Sequence, residues 1–116
     1  MPIVQLTTNV KVADEKALSL SLAKAAAESF GMEGFISTSV SYNETLNFGG
    51  THEPAFVLNL VIVGLVVEKH DGYAKSLFNF FEKELGVHSN RGYIIFNDPG
   101  AERIGYSGMT YKTLTS

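Results

Sequence analysis

The chain has 116 residues, of which 45% are hydrophobic and 18% are charged, and its formal net charge is −3. This length fits one compact domain over residues 1–116 with a sizeable core, and the scattered Lys and Arg residues argue against nucleic acid as a partner. Cysteine is absent, which excludes disulfides, thiol chemistry and zinc-thiolate sites.

The longest apolar run, residues 60–67, is much shorter than a membrane span requires. The first residues also lack the charged segment and apolar segment of a secretory signal peptide. We therefore expect a soluble cytoplasmic protein without a membrane span, with export by a non-classical route left open.

Pro2 follows the initiator Met1 and begins an apolar segment, residues 3–10, that we predict to be a strand. Removal of Met1 would turn Pro2 into a secondary amine. An α-amino group titrates at about 8 in water, and burial among apolar side chains lowers its pKa, so Pro2 is a candidate general base. The alternative is that Pro2 only stiffens the terminus, and the sequence does not show whether Met1 is removed.

After the first strand, Asp14 is a plausible N-cap for a helix over residues 17–30, and Gly31 stands where a C-cap belongs. Residues 35–42 alternate between apolar and serine side chains, which predicts a half-buried strand. A loop over residues 43–54 should follow.

The second half begins with residues 56–67, an almost continuous apolar run that predicts a strand covered on both faces at the centre of a sheet. Helical spacing of apolar residues over 74–85 predicts a second helix, with Asp71 as its cap and Gly86 as its end. Residues 92–97 form another short apolar strand.

The two halves therefore repeat the order strand, helix, glycine, loop and strand. Each β-α-β unit should be a parallel pair with a right-handed crossover, and together they predict an α/β (α+β) fold with a four-stranded mixed sheet and two helices on one face. The bare face of the sheet requires another cover, most economically other copies of this chain.

The C-terminal segment, residues 104–114, alternates glycine with aromatic residues. We interpret it as a short hairpin that either pairs with a neighbouring subunit or folds back on its own sheet. His52, His70 and His88 lack metal-ligand spacing, and Gly49-Gly50 lacks the residues of a phosphate loop, so we expect no metal and no cofactor.

The chain resembles the macrophage migration inhibitory factor and D-dopachrome tautomerase family of the tautomerase superfamily. The resemblance covers nearly the whole chain, and order and spacing carry it rather than any single motif. Its carriers, besides Met1-Pro2, are Thr8-Asn9-Val10, the run from Asn47 to Pro54, Val63-Gly64, the run from Gly92 to Phe96, and Ile104-Gly105-Tyr106-Ser107-Gly108.

The resemblance implies a homotrimer, with three sheets forming a barrel, six helices outside it and an active site at each subunit interface. It implies that Met1 is removed and that Pro2 is the general base of a cofactor-independent keto-enol tautomerase acting on compounds such as phenylpyruvate or dopachrome. The implied pocket consists of Pro2, Phe35, Val63, Ile104, Tyr106 and Tyr111, with Tyr93 and Ile95 from the adjacent subunit.

The chain departs from the family pattern in its polar contacts. Met32 stands where the family usually has a lysine that binds the substrate carboxylate, and Ile95 replaces an asparagine. The serine-isoleucine-glycine of many relatives reads Ile62-Val63-Gly64. The implied pocket is therefore more apolar than is usual, and a cation to replace the lysine would come from Lys69, Arg103 or Lys112. Arg103 is favoured among them because it precedes Ile104, and the alternative is that Arg103 is only a solvated surface charge.

We therefore hypothesise a trimeric isomerase for a small aromatic or apolar carbonyl substrate. The alternative is a cytokine-like or other binding protein on the same scaffold, with a protein receptor and weak or vestigial activity. A dehalogenase or decarboxylase requires cationic groups that the chain lacks at the expected positions. The physiological substrate and the source organism cannot be read from the sequence.

Overall fold

The computed structural model describes residues 2–31 and 33–116. Its main elements, in chain order, are strand β1 (Ile3–Thr8), helix α1 (Glu15–Phe30), strands β2 (Ser37–Tyr42) and β3 (Phe56–Val61), helix α2 (His70–Leu85) and strand β4 (Gly92–Asn97). A C-terminal tail adds strands β5 (Gly105–Tyr106) and β6 (Met109–Thr110) and the short helix α3 (Tyr111–Thr115). Short 3-10 turns cover Glu33–Phe35, Val67–Lys69, Ser89–Arg91 and Ala101–Arg103.

The main sheet has four strands in the order β2-β1-β3-β4. β1 is parallel to β2 and β3 is parallel to β4, whereas β1 and β3 are antiparallel, with Ile3 opposite Val61 and Thr8 opposite Phe56. The predicted mixed sheet of two β-α-β units is confirmed.

The core lies between the sheet and the two long helices. Alternate residues of β1 and β3 face this core, because successive side chains of a strand point to opposite faces. The helices lie side by side on one face, where the Oγ atoms of Ser29 and Ser76 are 3.2 Å apart. The buried side chains that α1, α2 and the sheet contribute to one cluster include Val4, Leu6, Leu18, Leu22, Ala26, Phe56, Leu58, Leu60, Leu77, Phe81 and Leu85.

The predicted caps of the first helix, Asp14 and Gly31, are confirmed, although the helix begins at Glu15 and not at Ala17. The second helix does not begin at its predicted cap. The Asp14 carboxylate accepts a hydrogen bond from the Ala17 N–H at 3.0 Å. Asp71 lies inside the first turn of α2 and is not the cap, because a 3-10 turn leads directly into the helix and the Lys69 N–H already donates to the Val66 carbonyl. No helix in the described part of the chain is both long and apolar enough to cross a membrane.

The third strand ends at Val61, so the prediction of a strand over residues 56–67 was wrong in its second half. After Ile62 the backbone turns away at Gly64, which has a φ of +88°. Of the apolar residues after Val61, Ile62 belongs to the core and Leu65 packs against it, whereas Val66 and Val67 are exposed. The predicted strands 3–10 and 35–42 are likewise shorter, and Phe35 lies in a 3-10 turn before β2.

The C-terminal tail forms a hairpin of its own. β5 and β6 pair with each other, Gly105 opposite Thr110, and neither joins the four-stranded sheet. Ser107 and Gly108 both have positive φ, which is typical of a tight two-residue hairpin turn. The alternative that the tail folds back on its own sheet was therefore wrong, and the helix α3 was not predicted.

Gly92 should tolerate no side chain. A Cβ at this buried position in β4 would overlap the ring of Phe56, which is fully buried. We expect Gly92→Ala to lower the free energy of unfolding by about 1–3 kcal/mol, the usual cost of overpacking a core. Urea denaturation measures the change.

Gly72→Ala is the matched control, because a Cβ on Gly72 in α2 would meet nothing within 4 Å. We expect this variant to be more stable by about 0.5–1 kcal/mol, since alanine favours a helix over glycine. Equal effects of the two substitutions would contradict the assignment of Gly92 to the packed core.

Candidate functional site

Pro2 is fully buried at the start of β1. Its carbonyl accepts a hydrogen bond from the Ser37 N–H at 3.0 Å. If the pairing of Ile3 with Val61 is continued by one residue, Pro2 lies opposite Ile62, which is also buried. Pro2 therefore lies between the beginning of β2 and the end of β3, in mainly apolar surroundings.

Two aromatic rings lie at the same end of the sheet as Pro2. The ring centroids of Phe35 and Tyr106 are 6.0 Å apart in an edge-to-face arrangement. Phe35 is 57% exposed and Tyr106 is 50% exposed, although both are large. Exposed aromatic rings at the sheet end that carries Pro2 can accept the ring of a small aryl compound.

The C-terminal tail brings two more predicted pocket residues to this region. The Tyr111 N–H donates to the Ile104 carbonyl at 2.7 Å, and Tyr106 lies between them in the hairpin. Val63 is half-buried and directly follows Ile62. The chain thus brings Pro2, Phe35, Val63, Ile104, Tyr106 and Tyr111 to one end of the sheet.

Tyr93 and Ile95 are not part of this group within one chain. Both lie on β4 and are exposed on the sheet face that the helices leave uncovered. Tyr93 pairs across the sheet with Val57 and thereby lies level with Thr7. It is therefore on the order of 17 Å along the strands from Pro2.

The predicted cationic residues differ in their surroundings, and Met32 lies outside the described residues. Lys112 forms an ion pair with Glu102, with Nζ and Oε1 3.0 Å apart. Arg103 is exposed in the turn before Ile104, and no ion pair involves it within the described ranges. Lys69 is exposed at the start of α2.

Asn9 and Arg91, to which the sequence assigned no structural role, fix the loop before β3. The Asn9 side chain bonds to the carbonyls of Leu46, His52 and Glu53 and to the Ala55 N–H. The guanidinium of Arg91 donates to the carbonyls of Phe48, Thr51, Glu53 and Pro54. Because partners of both residues are backbone carbonyls about 40 residues away in sequence, no local pattern identifies them.

This loop holds an aromatic contact at the far end of the sheet. The rings of Phe48 and Tyr93 are 5.3 Å apart, and the Arg91 guanidinium lies over Phe48. Tyr93 is therefore held by a fixed neighbour.

Among residues 2–31 and 33–116 there is no group of three or more His, Cys, Asp or Glu side chains that could hold a metal ion.

The chain is similar in sequence to known proteins over nearly its whole length. Residues 1–112 match the family model described as macrophage migration inhibitory factor. A homologue of this factor from Trichuris trichiura is 32% identical, with 96% of this chain and 100% of the relative covered. The chain belongs to the macrophage migration inhibitory factor family.

Solved structures of the family agree with the fold. The Trichinella spiralis factor superposes with a TM-score of 0.85 at 25% identity, covering 93% of this chain and 98% of the other. The homologue from Prochlorococcus marinus gives 0.86 at 27% identity, covering 94% and 98%. Membership of this family supports a tautomerase or a cytokine-like role for the chain.

In this family member, the Asp98 side chain joins two segments at the sheet end that carries Pro2. Its carboxylate accepts hydrogen bonds from the N–H groups of Gly64, Leu65 and Gly100 at 2.9, 3.1 and 3.0 Å. The bond from Gly100, followed by those from Gly64 and Leu65, lowers the pKa of Asp98 from its ordinary value of 3.8.

The Asp98 contribution to stability should therefore disappear in acid. Because the folded pKa is lowered, the contribution is present above 3.8 and is lost as the pH falls through the lower folded value. In urea unfolding, we expect the difference between the wild-type protein and Asp98→Asn to be constant above about pH 5 and to shrink below about pH 4. A difference that does not change with pH would contradict this role.

Proposed function

We propose that this protein is a keto-enol tautomerase that uses the amine of Pro2 as its general base once Met1 has been removed. The observation that carries the proposal is that Pro2 lies in apolar surroundings at the sheet end where the rings of Phe35 and Tyr106 remain exposed. Family membership supports the same chemistry.

The reaction is an internal proton shift. The neutral amine takes a proton from the carbon next to the carbonyl, the C–H electron pair forms the C=C bond, and the C=O π pair moves to oxygen. The protonated amine then gives its proton to this oxygen, directly or through water, which forms the enol and restores the neutral amine. The reverse direction returns the proton to carbon. No electrons are gained or lost overall, so the reaction needs no redox cofactor. Pro2 must be neutral near physiological pH to accept the proton, and apolar surroundings favour the neutral form of an amine.

The pocket residues favour an aryl or apolar carbonyl substrate. Phe35, Tyr106 and Tyr111 offer rings for stacking, and Val63 and Ile104 offer apolar walls. A tyrosine hydroxyl supplies a hydrogen bond to a carbonyl or enol oxygen. With Met32 and Ile95 at positions where the family usually has polar residues, we propose that the substrate is more apolar than the family's standard keto acids.

A second copy of the chain completes the proposed site. Tyr93 and Ile95 are exposed on the edge strand β4, far from Pro2 of the same chain. We propose a homotrimer in which these two residues contact the pocket of the adjacent subunit, as the family resemblance implies. The uncovered sheet face would then lie inside the assembly.

The second candidate function is that of a cytokine-like binding protein with a vestigial pocket. The replacement of two polar family positions by Met32 and Ile95 favours this alternative, and the related proteins are named as migration inhibitory factors. It predicts a correctly processed protein without measurable tautomerase activity.

Pro2→Gly should lower the rate of phenylpyruvate tautomerisation by about a hundred- to ten-thousand-fold, the usual contribution of a positioned base. The wild-type rate should depend on an ionisation below about pH 8, the pKa of a free α-amino group. Intact mass must first show that Met1 is absent. The same protein with Met1 retained is the matched control, since its proline nitrogen is an amide, and activity equal to that of the processed protein would exclude Pro2 as the base.

Arg103 is the proposed anchor for a substrate carboxylate. Because Arg103 is exposed, Arg103→Gln should raise KM for phenylpyruvate only about two- to fivefold, and it should leave KM for the neutral methyl ester nearly unchanged. Lys112→Gln is the control, because Lys112 already pairs with Glu102. Equal effects on the acid and the ester would show that Arg103 does not contact the carboxylate.

A further inference from the structure

One carboxylate connects the two backbone segments that carry proposed pocket walls. The N–H groups of Gly64 and Leu65, which bond to the Asp98 carboxylate, directly follow Val63. The Gly100 N–H, which bonds to the other Asp98 oxygen, belongs to the turn that leads through Arg103 to Ile104. Both segments lie beyond the ends of their strands, outside the ladder of the main sheet.

We propose that Asp98 is a positioning residue that fixes the distance between the Val63 wall and the Arg103-Ile104 wall and thereby sets how tightly the pocket binds a substrate. The identity of that substrate rests on the proposed function. Asp98 does not itself act on the reacting atoms.

The geometry requires a carboxylate. Gly64 has a φ of +88°, and successive N–H groups at such a glycine can form a concave anion site. The Asp98 Oδ2 atom accepts from both Gly64 and Leu65 while Oδ1 accepts from Gly100. An asparagine has only one acceptor oxygen, and its NH₂ group would face an N–H donor at the other position.

The same contacts also limit where a substrate can be held. The N–H groups of Gly64 and Leu65 lie next to Val63 and would suit a substrate carboxylate, but Asp98 already occupies them. An anionic group of the substrate must therefore bind elsewhere, and the segment that Asp98 fixes on its other side carries Arg103.

Binding and turnover of Asp98→Ala, measured separately, test the proposal. The dissociation constant of 3-phenylpropionate, an unreactive analogue of phenylpyruvate, is determined by NMR titration, and kcat and KM are determined with phenylpyruvate. We expect the dissociation constant and KM to rise about tenfold while kcat changes less than about threefold, because the walls move and the base does not. The apparent pKa in the pH-rate profile of this variant should equal that of the wild-type protein.

Asp14→Ala is the matched control. Asp14 is also a carboxylate that accepts a backbone N–H, but it caps α1 at the opposite end of the sheet from Pro2. We expect its dissociation constant to stay within about twofold of the wild-type value despite a comparable loss of stability. Asp98→Asn, which keeps one acceptor oxygen, should give an intermediate value and replaces Asp98→Ala if the latter does not fold.

The proposal is overturned if the folded Asp98 variants bind 3-phenylpropionate as tightly as Asp14→Ala does, or if the wild-type protein does not bind it. The binding measurement does not require turnover. An inactive wild-type protein whose affinity still depends on Asp98 would overturn the proposed tautomerase activity and leave the role of Asp98 intact. An active protein whose affinity does not depend on Asp98 would overturn the role of Asp98 and leave the proposed tautomerase activity intact.

Discussion

The antiparallel pairing of β1 with β3 is the constraint on which the rest of the molecule depends. It joins two parallel pairs, so that β1 and β2 begin at the sheet end where β3 and β4 finish. Residues before β1 and β2 and residues after β3 and β4 must therefore meet there. Pro2 and Phe35 precede strands, whereas Val63 and Asp98 follow them, and strand direction alone brings these four residues to one end.

The same constraint keeps two predicted site residues apart from Pro2. Tyr93 lies at the beginning of β4, and the beginning of β4 is level with the end of β1. Movement of a side chain cannot cover a separation on the order of 17 Å along the strands. If Tyr93 belongs to the pocket, it must therefore come from another copy of the chain, and assembly and catalysis would depend on one another.

The sequence predicted the sheet and its two helices because their apolar residues recur with clear periods. It failed where distant backbone decides the local conformation. The apolar run through Ile62 and Leu65 looked like a continued strand, since composition does not distinguish a strand residue from one that folds over the core. The end of β3 is fixed by Asp98, more than 30 residues away. Pocket residues came from the family resemblance, and Asn9, Arg91 and Asp98 were missed as bridging residues because their partners are mostly backbone atoms of distant segments.

Charge near Pro2 bears on the class of substrate. On the C-terminal tail, Glu102 and Lys112 pair with each other, and the Asp98 carboxylate binds three N–H groups. Within the described residues, Arg103 is the cation of this segment that forms no ion pair. Because Arg103 is exposed, water and salt screen its attraction for a carboxylate. Burial of an aromatic ring, by contrast, contributes about 2 kcal/mol and is hardly affected by salt. Selection at this site should therefore depend more on the ring of a substrate than on its charge.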